Sequence, residues 1–268
     1  MLLSKIVPYI LFTTLLLFSN TGLAEEAKNI QDNSFLIEEA YNQEPGVVQH
    51  IQMFQYYQKS YDWFYTFTQE WPVPNQTNQF SYVIPVTRLY QYDATGLGDV
   101  MLNYRYQAVL NDTLALAPRL TLILPTGDYK KGLGTGTVGY QMNIPLSIQL
   151  SDKFVSHWNF GMTYTPHAKD TTGEKSNLLG YNYGGSIIYL ATENFNLMLE
   201  AAGTSTETHP DIGLSSTSST FFINPGMRFA LNFKSGLQIV PGLSMPIGIG
   251  PSGGEYGALV YLSFEHPY

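Results

Sequence analysis

Residues 138–150 alternate between apolar and polar side chains without a break, and that alternation narrows the folds open to this chain. Val138, Tyr140, Met142, Ile144, Leu146, Ile148 and Leu150 share one face. Gly139, Gln141, Asn143, Pro145, Ser147 and Gln149 share the other. A period of two belongs to a strand with one apolar and one polar side. At about 3.3 Å per residue the run is roughly 40 Å long, well beyond an ordinary globular strand. A tilted bilayer crossing takes about 9–11 residues, so the run is long enough to span. It ends at Ser151-Asp152, where a second alternating run begins at once. This is the pattern of a transmembrane hairpin.

The same alternation recurs through most of the chain. Strands are predicted at 47–57, 61–70, 79–88, 97–110, 113–125, 137–150, 153–164, 180–191, 195–206, 219–231, 236–247 and 256–264. The fold class that follows is all-β: a transmembrane antiparallel β-barrel of about twelve strands, an even number that returns both ends to one side. From the fourth strand onward short turns alternate with long polar loops, as barrels require. The N-terminal third is less regular, with a short connection at 58–60 and a long one at 71–78, so ten or fourteen strands stay open. Pro85, Pro118, Pro145, Pro225, Pro241 and Pro246 each remove a ladder donor and are expected at bulges. A secreted β-sandwich or calycin-like barrel is the soluble alternative, but it would have shorter strands and more Lys and Glu.

Composition supports the membrane reading. Charged residues make up 13% of the chain and aromatic residues 14%, with 20 Tyr, against about 25% charged in soluble domains. A net charge of -8 argues against a nucleic-acid partner. The absence of cysteine excludes disulfides, a lipid-modified N-terminal cysteine and a thiolate metal site. Residues 1–24 read as a secretory signal: Lys5, an apolar stretch at 6–18, and small residues before Glu25. Residues 25–46 form a periplasmic segment or one leading into the lumen, and 47–268 form the barrel. The expected location is the bacterial outer membrane, with its lipid, its assembly machinery and a small-molecule solute as partners. No cofactor is expected.

Several local motifs take plain readings. Gly134 to Gly139 matches G-x-G-x-x-G, but it opens a strand rather than a helix, so the dinucleotide reading fails. Glu38-Glu39 are adjacent carboxylates, which diverge and do not converge on a substrate. The five histidines lack metal-ligand spacing along the sequence. The inward polar set, predicted to line the lumen, is Asp99, Asn103, Arg105, Arg119, Gln141, Asn143, His157, Glu200 and Arg228. Its charges either pair across neighbouring strands and close the lumen or line a conducting path.

Gly96-Leu97-Gly98-Asp99, Leu124-Pro125-Thr126-Gly127-Asp128, the glycine-rich stretch 132–139 and the opening segment 35–46 resemble the outer-membrane family labelled "MetA-pathway of phenol degradation". The resemblance covers about residues 34–264. It implies an outer-membrane barrel associated with uptake of hydrophobic or aromatic compounds, and it carries no catalytic residue to any position. The expected function is passive uptake of small apolar or aromatic solutes, not enzymatic. A closed structural or surface-interaction barrel is the alternative. A lipid-acting barrel enzyme ranks last, because no outward Ser-His pair is evident.

Overall fold

The computed structural model describes residues 34–211 and 213–268, so the signal expected at 1–24 lies outside the described residues. Twelve antiparallel strands close into one barrel. They are β1 (Val47–Tyr57), β2 (Trp63–Pro72), β3 (Asn78–Leu89), β4 (Ala94–Leu97, Val100–Tyr106 and Val109–Leu110) and β5 (Leu114–Leu116 and Arg119–Leu124). There follow β6 (Gly139–Ser151), β7 (Phe154–Lys169), β8 (Lys175–Thr192) and β9 (Phe195–Pro210). The last three are β10 (Ser216–Phe229 and Leu231–Asn232), β11 (Gln238–Ser244 and Ile247–Gly248) and β12 (Gly257–Pro267). β1 pairs with β2 on one side and with β12 on the other, from Val47↔Pro267 to Tyr57↔Gly257, so the sheet has no free edge. The irregular N-terminal third resolves to three full strands, which fixes the count.

The prolines fall partly where bulges were expected. Pro118 interrupts β5 and Pro246 interrupts β11. The ladder continues across both breaks: Tyr106 N–H donates to the Pro118 carbonyl at 3.0 Å, and Met245 N–H to the Pro225 carbonyl at 3.1 Å. Pro85, Pro145, Pro225 and Pro241 sit inside strands, contrary to the bulge expectation. Several still accept from neighbours; Ala117 N–H reaches the Pro145 carbonyl at 3.2 Å.

The barrel is built inside out relative to a soluble domain. Phe160 on β7 is 56% exposed while Asn143, beside it on β6, is 3% exposed. Tyr140, Ile144, Trp158, Leu199, Leu243 and Val260 share the exposed outer face. Such a girdle is stable against lipid tails and not against water. On the outer face of β2 and β3, Trp71 lies 5.9 Å from Phe80 and 5.6 Å from Tyr82 between ring centroids, an aromatic group of the kind that anchors barrels at an interface. The longest connections, 125–138 and 249–256, emerge at the end opposite the two-residue turn at 152–153.

Candidate functional site

Ahead of β1 the chain runs into the barrel. Residues 34–43 lie inside it, with Ser34, Phe35, Ile37, Glu39, Ala40, Asn42 and Gln43 all buried, and exposed residues 44–46 lead out to β1. This segment belongs to no strand, so its amides and carbonyls have no ladder and must find partners elsewhere. The wall provides them as side chains. Glu200 Oε1 on β9 accepts from the N–H groups of Leu36 and Ile37 at 2.7 and 3.1 Å. Asn159 on β7 accepts the Glu38 N–H at 2.8 Å and donates to the Glu38 carbonyl at 2.8 Å. Ser147 Oγ accepts from Ala40 N–H at 2.8 Å. Gln107 accepts from Asn42 N–H at 2.9 Å and donates to the Ala40 carbonyl at 2.7 Å. Gln79 accepts from Gln43 N–H at 2.8 Å. Inward Asn, Gln and Ser residues thus stand in for a neighbouring strand.

Charge fixes the middle of the segment. Glu38 Oε1 accepts from Arg105 Nη1 at 3.2 Å, and Glu38 Oε2 accepts from Arg119 Nε at 3.0 Å and Asn143 Nδ2 at 2.8 Å. Burial works against the Glu38 charge; Arg119 and Arg105, with the Asn143 amide, outweigh it and hold the carboxyl below the usual carboxylate range. Arg105 also donates to Asn42 Oδ1 at 2.8 Å, to the Glu39 carbonyl at 3.1 Å and to the Tyr41 carbonyl. Its Nη2 stands 3.6 Å from Glu39 Oε1.

The other end of the segment is seated by shape. Phe35 packs in a buried cluster with Ile51, Ile188, Met198, Val240, Leu259 and Tyr261, its ring 5.4 Å from that of Tyr261. It lies on Gly226 and Gly242, where an added Cβ would come within 2.6 Å of the ring. Only glycine permits that approach. Ala40 packs on Ala115 and Ala117 in the same way, small residue against small residue.

Of the remaining residues predicted to line the lumen, Asn103, Gln141, His157 and Arg228 face inward around this segment and Asp99 does not. Asn103 Oδ1 accepts from Arg119 Nη1 at 2.7 Å and Gln141 Oε1 from Arg119 Nη2 at 3.1 Å, so both orient the guanidinium. His157 Nδ1 bonds Ser147 Oγ at 2.7 Å, with the Tyr41 ring edge-on at 6.2 Å. That Ser-His contact faces inward and is fully buried. Arg228 is buried on β10, four residues from Asn224, whose amide donates to Glu200 Oε2 at 2.6 Å. Asp99 sits at the first break in β4 and serves a different end: it accepts from Gly127 N–H at 2.9 Å, Thr135 N–H at 2.8 Å and Thr135 Oγ1 at 2.9 Å, pinning the 125–138 connection. The sequence left open whether these charges pair or line a path; Arg105 and Arg119 do meet carboxylates, but not those of Asp99 or Glu200. Their carboxylates come from Glu38 and Glu39, which the strand pattern did not place in the lumen.

Beyond Leu36 and Ile37, toward the long connections, a cavity of about 220 Å³ remains. Gln55, Tyr57, Asn159, Asn182, Thr204 and Phe222 are among the residues around it.

A family model described as "Putative MetA-pathway of phenol degradation" matches residues 46–243. No curated protein matches the chain in sequence. Among solved structures, an outer membrane channel from Pseudomonas putida F1 is similar with a TM-score of 0.65 at 12% identity, covering 85% of this chain and 98% of that one. The NanC porin gives 0.56 at 9% identity over 82% of this chain and 100% of its own. The KdgM porin gives 0.51 at 9% identity over 83% and 99%. At such identities the likeness is one of fold.

Proposed function

The chain belongs to the family described as putative MetA-pathway of phenol degradation, and from that premise we propose that it is an outer-membrane channel for passive uptake of small apolar or aromatic solutes. In this reading the mature protein begins near Glu25 after signal cleavage, is inserted by the outer-membrane assembly machinery, and catalyses no reaction.

The cavity carries the proposal. Its volume of about 220 Å³ compares with about 150 Å³ for an apolar protein cavity that binds benzene. Leu36, Ile37, Tyr57 and Phe222 supply apolar and aromatic surface, and Gln55, Asn159, Asn182 and Thr204 supply a few polar groups. An apolar pocket with a few polar groups suits a single ring bearing a hydroxyl. Residues 34–43 stand between this cavity and the far end of the barrel, so passage requires the segment to shift. The inward set from Asn103 to Arg228 would line the path so exposed. The P. putida neighbour, itself described as an outer membrane channel, is consistent with this use of the fold.

The Glu38 clamp favours one competing reading, a permanently closed barrel. Two measurements on purified protein separate them. A one-ring phenol titrated onto the detergent-solubilised barrel is expected to bind once per chain, with binding lost in Ala202→Trp, which fills the cavity. In planar bilayers, deletion of residues 34–44 is expected to raise conductance strongly. A barrel that binds no ring and stays silent after the deletion would leave the closed reading standing.

A further inference from the structure

We propose that the outer face of the barrel carries a divalent transition-metal site at the seam between its first and last strands, with His50 and His266 as ligands. The two strands register His50 opposite Phe264 and Val48 opposite His266, which makes the histidines diagonal neighbours on one face. That face is the outer one, shared with exposed Phe54 and Val260, while Gln49 and Ile51 point inward and are buried.

Three observations converge on metal ligation. The Nε2 atoms stand 3.3 Å apart, and the ring centroids 5.3 Å apart. Two imidazole nitrogens sharing a tetrahedral zinc at about 2.0–2.1 Å lie about 3.3–3.4 Å from each other. Next, His266 Nδ1 donates to the Pro267 carbonyl at 2.9 Å. A proton held at Nδ1 leaves the Nε2 lone pair free, and a backbone carbonyl is the usual outer partner of a metal-bound histidine. Finally, Phe67 of β2 stacks on the His50 ring at 6.1 Å between centroids, with the planes 24° apart, which restricts its rotation.

Without metal, the pair is joined by one N–H···N hydrogen bond; metal takes the place of the bridging proton. Imidazole nitrogens select zinc, copper or nickel over magnesium or calcium. Among the described residues no third His, Cys, Asp or Glu joins them. The pair lies near the ends of β1 and β12, where Val47 pairs with Pro267, so water at the membrane edge completes the coordination, and binding is reversible. Because the ligands sit on the two strands whose pairing closes the barrel, bound metal staples the closure and stabilises the folded form by mass action.

The test uses the full mature chain without a polyhistidine tag, in detergent, with zinc as the probe. One zinc per chain is expected, together with a rise of several degrees in the temperature at which heat-modifiable gel mobility is lost. His50→Gln and His266→Gln should each weaken binding by about tenfold or more and abolish the temperature rise, while His209→Ala leaves both unchanged. No stoichiometric zinc, or zinc that survives both substitutions, overturns the proposal. Should a variant fail to assemble, electron paramagnetic resonance of copper on the wild-type barrel decides. Couplings to two imidazole nitrogens support the site, and their absence overturns it.

Discussion

On the β3–β7 side of the lumen the N-terminal segment is held by charge, through Glu38 between Arg105 and Arg119; on the β8–β12 side it is held by apolar packing, through Phe35 against Tyr261 and two glycines. The two halves respond differently to loss. A buried ion pair deprived of one member leaves an uncompensated charge, so the polar half fails steeply. Apolar burial declines in proportion to the area removed, so the other half fails gradually. They also differ when empty. Arginine, asparagine and glutamine side chains are solvated readily by water entering the lumen, whereas the Phe35 seat would expose Ile188, Met198 and Leu259.

A single cysteine at position 34, in a chain with no native cysteine, reports this directly through its rate of thiol labelling. Arg105→Leu removes the buried cation that Glu38 and Glu39 share, leaving Glu38 with Arg119 alone, and should weaken docking by about 3–5 kcal/mol, seen as a labelling rate raised more than about hundredfold. Phe35→Ala should weaken it by about 1.5–3 kcal/mol, with a proportionately smaller rise. If Phe35→Ala instead exceeds Arg105→Leu, the assignment of the steep half to charge is wrong. Glu200→Gln keeps an oxygen for the Leu36 and Ile37 amides. It should cost about 0.5–1.5 kcal/mol, the smallest change, and an effect equal to that of Arg105→Leu would mean that the Glu200 charge itself anchors the segment.

Much of the barrel was readable in advance, whereas for the segment inside it the sequence left a periplasmic and a lumenal course open and showed none of its contacts. The prediction at 153–164 became Phe154–Lys169, and that at 180–191 became Lys175–Thr192. Parts of the additions, such as Ser176-Asn177 and, on β9, Glu207 to His209, are polar on both faces. Alternation marks a strand only where one side must be greasy. The breaks in β4 and β5 were hidden for a related reason: Ala117-Pro118 preserves the inward parity of Ala115 and Arg119 across the interruption. Residues 34–46 carry no period at all, since their partners are side chains spread over the walls. A signal did exist. Within the predicted lumen-lining set, Arg105, Arg119 and Arg228 outnumbered Glu200 once Asp99 was committed to its loop, and Glu38-Glu39 lay just upstream as further carboxylates.

Residues 34–43 occupy the lumen, and in the proposed function they must move for solute to pass. Ser34 Oγ and Ser186 Oγ lie 2.8 Å apart across it. With no native cysteine present, Ser34→Cys combined with Ser186→Cys permits only one intramolecular disulfide. Mild oxidation of the folded barrel is expected to form this bond and to suppress whatever conductance the reduced protein shows in a planar bilayer, and reductant is expected to restore it. A folded barrel in which the bond does not form would mean that Ser34 does not sit against the wall, and a locked barrel that conducts as freely as the reduced one would mean that the segment does not gate passage.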